Sequence, residues 1–341
     1  MPNTRRFLQS LCFFNIVVGG SGACAAPSGS RDAVSPETFT VALLTPGPIS
    51  DQSWNGGAYE GLMRIHDSLG AQVSHIQTKT PAEFDENFRQ YGAKGYSLVF
   101  GHGFEFQDAA ARVAPDFPKT IFVTTGGTRS SANVVAMSFA FEQPSYLAGL
   151  VAASVSKSGI IGCIGGTELP PVRAGFDAFS QAVHVVNPNA KVLTAYIGNW
   201  DDAGAGKEQA LAQIARGADV IYQNADAAGL GIFQAAKETP HVFIIGSNSN
   251  QNNVAPTVTL GSVVIDLPNA FMSLAREVKS GKFTARAHVL DTRSGVMKWV
   301  LNPQLRSVVP PRTLQLVDSV EHQMQAGTFA PPASPRAPEE K

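Results

Sequence analysis

The sequence has few charged residues, no excess of positive charge and no long apolar run. Only 16% of its 341 residues are charged, against about 25% in an average globular chain. The formal charge is −1, so there is no positive excess to neutralise a phosphate backbone, and we predict no nucleic-acid partner. The apolar runs fall short of the roughly 18 to 20 residues of a membrane-spanning helix. A chain with 44% hydrophobic residues and this length can form roughly two domains of about 150 residues.

The N-terminal region has the order of a secretory leader. Two arginines precede an apolar stretch over residues 7–18, and small residues follow. We therefore predict a signal peptide over residues 1–25 and export of the protein. Cleavage after Ala25 would leave a soluble periplasmic chain. Acylation of Cys24, which stands in a lipobox-like sequence, would instead anchor the chain at the outer face of the cytoplasmic membrane.

Outside this leader the sequence has one cysteine, Cys163, which lies in an apolar run. A single cysteine cannot form an intramolecular disulfide, and we interpret it as a small buried hydrophobic residue. The Pro- and Ser-rich segments 26–38 and 327–341 lack the apolar surface that folding requires. They are predicted to be a linker and a disordered tail.

Between these segments, apolar runs alternate with helical patterns, and the alternation starts again near residue 133. Repeated strand–helix units predict an α/β fold with two doubly wound parallel-sheet lobes. We assign residues 39–138 with 264–288 to the first lobe, and 139–263 with 289–326 to the second. Ligands of such sheets bind beyond the carboxyl ends of the strands, so the functional residues are expected in the loops that follow the strands.

The common catalytic motifs are missing. The sequence has no phosphate-binding GxxxxGK[ST] loop, no HExxH and, after the leader, no GxSxG, and the pair of glycines at 101 and 103 is not extended to GxGxxG. The histidines are scattered, and we interpret His102 as a satisfied loop or core residue rather than a metal ligand. Nothing in the sequence argues positively for catalysis, and the residues that are present suit binding, so we expect a binding protein rather than an enzyme, with no cofactor and no metal.

Two tryptophans, Trp54 and Trp200, follow predicted strands, one in each lobe. Indoles that face each other across a cleft would stack on a flat ring, which predicts a planar ligand. Trp54 also begins the apolar face of a predicted helix, so burial in the core is the alternative for that residue. Trp200, between Asn199 and Asp201, is less easily explained as core.

Several loop motifs together resemble one known family. They are Asp51-Gln-Ser-Trp-Asn55, Gly101-x-Gly-Phe104, Glu142-x-x-x-Tyr-Leu-Ala-Gly149, Gly198-Asn-Trp-Asp201 and Gly246-Ser-Asn-Ser-Asn-Gln251. In order and spacing, from about residue 39 to residue 282, the chain resembles the basic membrane protein family of bacterial ABC-importer substrate-binding proteins, which includes purine nucleoside receptor lipoproteins. The resemblance implies a type I periplasmic-binding-protein fold, in which two lobes joined by a hinge of three crossings enclose the ligand.

The resemblance also implies a set of ligand-binding residues. The aromatic residues that sandwich the base in the family fall on Trp54 and Trp200, whereas Asp51 is expected to cap a helix. Acids that bind ribose in the family are replaced here by Thr45 and Asn248. The predicted ligand-binding residues are Trp54, Asn55, Phe104, Thr125, Trp200, Asp226, Asn248 and Gln251.

A carboxylate binds a sugar diol more strongly than an amide does, so a free base or another planar ring is considered beside a nucleoside. With Asp226 as the only acid placed in the site, binding is expected to change little between about pH 6 and 8. The resemblance implies an exported receptor that delivers a nucleoside, nucleobase or similar aromatic heterocycle to an inner-membrane ABC permease. A riboflavin-type receptor, an exported enzyme that acts on nucleosides, and a sensor that feeds a membrane kinase are the alternatives.

Overall fold

The computed structural model describes residues 38–332. The strands are β1 Thr40–Thr45, β2 Gln72–Gln77, β3 Leu98–Gly101, β4 Ile121–Thr125, β5 Val134–Phe139, β6 Ile160–Gly165, β7 Lys191–Tyr196, β8 Val220–Asn224, β9 Phe243–Asn248, β10 Thr259–Ile265, β11 His288–Leu290 and β12 Met297–Leu301. The helices are α1 Trp54–Leu69, α2 Pro81–Ala93, α3 Gln107–Val113, α4 Glu142–Val155, α5 Pro170–Val186, α6 Ala203–Ala215, α7 Gly229–Glu238, α8 Leu267–Lys279 and α9 Pro311–Gln325.

The strands form two sheets, one in each lobe. The first has the order β11-β5-β4-β3-β1-β2 and the second the order β12-β10-β9-β8-β6-β7. The strand pairs are parallel except β10 with β12, which is antiparallel. The chain passes between the sheets after β5, after β10 and after β11, so three segments connect the lobes. This is the two-lobed, parallel-sheet architecture that the sequence predicts.

Helices cover both faces of each sheet, because the inner strands are apolar on both faces. In the first lobe, Leu43 packs with residues of α1 and α8, whereas Leu44, on the opposite face, packs with residues of α2 and α3. In the second lobe, α6 and α7 contribute to the cluster on one face of the sheet, and α5 contributes to the cluster on the other. Cys163 lies fully buried in β6, as predicted, and its burial raises the pKa of its thiol.

The helix ends follow local sequence signals. Thr80 and Glu83 form a reciprocal capping box at the start of α2, with Pro81 at its first position. Asp266 caps α8 by accepting from Asn269 N at 3.2 Å. Gly70 ends α1 with a φ of 63°, a left-handed conformation that favours glycine.

The lobe limits differ from the predicted ones by one or two residues, because Val264 and Ile265, assigned to the first lobe, belong to β10 of the second sheet. β5 ends at Phe139 and β11 at Leu290, and both belong to the first sheet. α8 returns to the first lobe, where it packs against α1, and Arg64 Nη1 donates to Asn269 Oδ1 at 2.8 Å.

The part of the predicted disordered tail that the structure describes, residues 327–332, contacts the second lobe. The ring centroid of Phe329 lies 5.3 Å from that of Tyr146 on α4, and Pro331 is buried. Apolar side chains in this Pro-rich segment give it surface to bury, so ordered packing continues past residue 327.

The predicted signal peptide 1–25 with Cys24, linker residues 26–37 and residues 333–341 lie outside the described residues. Within residues 38–332, no helix has the length and apolar character needed to cross a membrane.

Candidate functional site

A cavity of about 470 Å³ lies between the lobes, next to the carboxyl ends of several strands. This figure includes space that is open to solvent, so the enclosed part of the cleft is smaller. Six of the eight predicted binding residues line it, namely Trp54, Phe104, Thr125, Trp200, Asp226 and Asn248. The cavity therefore draws residues from loops of both lobes, as binding beyond the strand ends requires.

Asn55 and Gln251, the other two predicted binding residues, do not line the cavity. Asn55 Nδ2 donates to Asp51 Oδ2 at 2.8 Å, and Asn55 Oδ1 accepts from Gly47 N at 3.3 Å. Gln251 Oε1 accepts from Gln223 Nε2 at 2.7 Å and from Ser247 N at 2.9 Å. Both amides are thus occupied in holding loops in place, and their contact with a ligand stays a prediction.

Asp51 caps α1, as predicted, and so fixes the start of the helix, where Trp54 lies. Its Oδ1 accepts from Ser53 N at 2.9 Å and from Gly56 N at 2.8 Å, and its Oδ2 accepts from Asn55 N at 2.8 Å. These backbone N–H groups at a helix start have no partner within the helix, so a carboxylate there stabilises the helix.

Trp54 contacts both the core and the cavity. Its ring stacks on His102 at a centroid distance of 3.9 Å and an interplanar angle of 21°, and it meets Phe139 edge-on at 6.0 Å. Its Nε1 donates to His102 O at 3.3 Å. The two interpretations of Trp54 from sequence are therefore not exclusive, because the core contacts hold the indole at the cavity wall.

His102 is fully buried, which lowers the pKa of its imidazole to about 3 and keeps the ring neutral. His102 Nε2 lies 3.0 Å from the carbonyl oxygen of Trp54 and must donate there, since a carbonyl can only accept. His102 Nδ1 then accepts from Thr125 Oγ1 at 2.9 Å. His102 is a satisfied core residue, as the sequence interpretation held, and it positions two residues of the cavity.

Trp200 belongs to the loop that connects β7 to α6 and is partly buried. Its indole lies against Gly166, where a Cβ atom would collide with the ring. The side-chain oxygen of Asn199 accepts from the backbone N of Asp202 at 2.8 Å and shapes this loop. A glycine at 166 therefore makes room for the ring that forms part of the cavity wall.

Asp226 and Glu105 bring two carboxyl groups to the cavity, one from each lobe. Asp226 is 4% exposed, and its Oδ1 accepts from Asn248 Nδ2 at 3.0 Å. Burial, followed by the nearby charges of Asp51 and Glu105, raises the pKa of Asp226 well above its usual range. Burial also raises the pKa of Glu105 to about 7. We expected ligand binding to depend little on pH because Asp226 was the only acid assigned to the site. Glu105 is a second acid there, so this argument no longer holds.

Sequence reasoning missed Glu105 and the apolar part of the wall. The missed side chains are Pro46, Glu105, Phe141, Leu169, Pro171, Val172 and Asn224. Glu105 was within reach of sequence reasoning, because it directly follows Phe104 in a loop already assigned to the site.

Thr45, which replaces a family acid, does not line the cavity, and its Oγ1 donates to Gly47 O at 2.9 Å.

The two lobes contact each other directly beside the cavity. Asn248 Nδ2 donates to Ser53 Oγ at 3.2 Å, and Ser249 Oγ donates to Ser53 O at 2.9 Å. At the exposed rim, Lys79 Nζ lies 3.2 Å from Asp201 Oδ2. The lobes are therefore held together by hydrogen bonds and an ion pair on the two sides of the cleft.

Comparisons with known proteins agree with this architecture. A family model described as Bmp, ABC transporter substrate-binding protein PnrA-like, matches residues 38–318. The ABC transporter nucleoside-binding protein BmpA of Lactococcus lactis is 28% identical over 75% of this chain and 79% of its own length. A purine-binding protein of Brucella abortus is 25% identical over 88% of this chain and 84% of its own.

A solved structure of an ABC transporter solute-binding protein from Aeropyrum pernix K1 superposes with a TM-score of 0.81 at 20% identity. The superposition covers 87% of this chain and 94% of the Aeropyrum pernix chain. At this identity the likeness concerns the fold alone, and it confirms the predicted type I periplasmic-binding-protein fold.

Proposed function

Because the chain belongs to the Bmp family of ABC transporter substrate-binding proteins, we propose that it captures a nucleoside, nucleobase or similar planar heterocycle between its lobes. The observation that carries this proposal is a cavity lined by Trp54 from one lobe and Trp200 from the other. Aromatic walls suit a flat ring, since offset stacking adds to the free energy of burial. The names of the relatives from Lactococcus lactis and Brucella abortus, which refer to nucleosides and purines, support the same class of ligand.

In this proposal the other lining residues have different roles in binding the ligand. Phe104 adds apolar surface to the wall, and Thr125, Asp226 and Asn248 provide the polar contacts that orient the ring. Asn55 and Gln251 act indirectly, since they hold the loops that carry the lining residues.

Ligand capture follows from the three segments that connect the lobes. Rotation about these segments opens and closes the cleft, and a ligand that contacts both lobes favours the closed form. The closed receptor then docks on an inner-membrane permease. Export places the receptor in the periplasm, and acylation of Cys24 is the proposed means of anchoring it to the cytoplasmic membrane.

Thermal-shift measurements with adenine, adenosine, 2′-deoxyadenosine and riboflavin test the proposal. A ligand at 100 times its dissociation constant should stabilise the protein by about 2.7 kcal/mol. We expect stabilisation by at least one purine and recovery of that ligand unchanged. Loss of the 2′-hydroxyl should matter little, because the cavity lacks the two family acids that Thr45 and Asn248 replace. The absence of any stabilisation by purines would contradict the proposal, and conversion of the ligand would favour the enzymatic alternative.

A further inference from the structure

The polar side chains of the cavity offer mostly acceptors once its two carboxyl groups are ionised. Glu105 and Asp226 contribute carboxyl groups, and no residue in the lining that the structure describes is a lysine, arginine or histidine. The charges that act on Asp226 come from Asp51 and Glu105, and both are negative. Ionised carboxylates in such a place are costly unless a positive charge or hydrogen-bond donors accompany them.

The donors of two neighbouring side chains are already occupied inside the protein. Thr125 donates its hydroxyl hydrogen to His102 Nδ1, so its oxygen is left to accept. Asn248 Nδ2 donates to Asp226 and to Ser53, whereas Asn248 Oδ1 is buried without a partner among the described residues. An unsatisfied buried acceptor costs free energy until a donor reaches it.

Asn224 adds an amide whose N–H groups can donate, while its Oδ1 accepts from Asn248 at 3.4 Å. The surrounding wall is aromatic, with Trp54, Phe104, Phe141 and Trp200. The faces of such rings carry partial negative charge and attract cations, most strongly in the case of tryptophan. The aromatic wall and the acceptor-rich polar side chains thus both favour a ligand with positive charge.

Building on the proposed function, we propose that this site selects a planar heteroaromatic ring that carries a positive charge and N–H donors, and that it rejects anionic heterocycles. The ring enters between the two indoles, and its charged edge faces Glu105 and Asp226. Its N–H groups face the acceptor oxygens of the lining side chains. A phosphorylated nucleotide would bring negative charge to a wall in which the described residues offer no cationic side chain.

Two isomeric nucleosides provide the test. 1-Methyladenosine binds a proton and is a cation at neutral pH, whereas its isomer N6-methyladenosine stays neutral. We expect calorimetry at pH 7.5 to show at least tenfold tighter binding of the cation. Adenosine 5′-monophosphate should bind at least tenfold more weakly than adenosine.

The variants Asp226→Asn and Glu105→Gln each replace a carboxyl group, which a bound cation would favour in its ionised form, by a neutral amide of similar shape. Asparagine tolerates the left-handed backbone at position 226, where φ is 49°. Each variant should reduce the preference for the cation by at least threefold. Glu208→Gln, an exposed position on α6, is the matched control and should leave the preference unchanged.

The outcomes separate this inference from the proposed function. Binding of adenosine without a preference for the cation would overturn the inference and leave the proposed function in place. A preference that persists in both variants would also overturn it, because the selectivity would then not come from these acids. If neither isomer, adenosine nor adenine binds, both the proposed function and the inference are contradicted.

Discussion

Glu105 and Asp226 define the character of the site at the scale of single residues. Both are acids that approach a largely apolar cavity, and burial shifts both pKa values upward. A carboxyl group whose pKa is higher in the folded than in the unfolded chain binds more protons when folded. The free energy of unfolding therefore decreases as pH rises from the unfolded pKa through the folded one.

For Glu105 this window runs from 4.5 to about 7. We expect the ligand-free protein to lose stability between about pH 4.5 and 7, by on the order of 3 kcal/mol from Glu105. Urea unfolding at several pH values measures the effect, and Glu105→Gln should flatten the dependence. If the free energy of unfolding of Glu105→Gln depends on pH as steeply as that of the original chain, the raised pKa of Glu105 is contradicted. Glu208→Gln should keep the dependence of the original chain.

The sequence located several site residues but did not show where their side chains point. Trp54 and Trp200 could be placed because they follow strands, and strand ends of a parallel sheet converge on one edge. Asn55 directly follows Trp54 and Gln251 lies in the loop after β9, yet their side chains turn to Asp51 and to Ser247. Spacing along a loop does not fix the orientation of an amide, because the direction depends on partners that come from distant parts of the chain.

At the scale of elements, α6 and α7 position the second-lobe half of the site. Trp200 precedes α6 and Asp226 precedes α7, and Ala228 N donates to Trp200 O at 3.0 Å. The two helices pack closely because Gly231 has no side chain, and a Cβ there would collide with the backbone of Ala203. Such backbone approach is the reason that glycine is required at this position.

Gly231→Ala is therefore expected to destabilise the protein by about 1–3 kcal/mol, although alanine is the better helix former. It should also weaken ligand binding, since α6 and α7 must separate. Gly204→Ala, in the first turn of α6, is the matched control because a Cβ there meets only Asp202 Oδ1 at 3.2 Å. Chemical denaturation and calorimetry measure both variants. Equal stability of the two variants would contradict the packing argument.

The order of strands and helices was predictable, because buried parallel strands appear as apolar runs and the helices between them have a helical period. The end of the chain was less predictable. Composition alone suggested disorder from residue 327, but Phe329 packs against Tyr146. A single aromatic contact with a distant helix outweighs local composition, and the sequence carries no signal for such a contact.

At the scale of the whole molecule, the ion pair of Lys79 with Asp201 connects the rims of the two lobes. Its side chains are 59% and 48% exposed, so solvent screens the pair. An exposed ion pair contributes about 0.2–1 kcal/mol. We therefore regard it as a modest contribution to the contact between the lobes rather than as its main cause.

Lys79→Ala should weaken ligand binding by less than about tenfold, and the difference from the original chain should shrink at high salt. Titrations at about 0.05 M and 0.5 M NaCl would measure this. Lys282→Ala, an exposed position of the first lobe away from the rim, is the control. A loss that does not depend on salt would show that Lys79 acts by packing rather than by charge.

The central claim is that a planar heterocycle binds between Trp54 and Trp200. Its most direct test is a calorimetric titration of the best purine ligand with Trp200→Ala and Trp200→Phe. We predict that the alanine variant loses about 1–3 kcal/mol of binding free energy, by analogy with base stacking, and that the phenylalanine variant recovers most of it. Undiminished binding by Trp200→Ala, in a variant that folds as stably as the original chain, would contradict the claim.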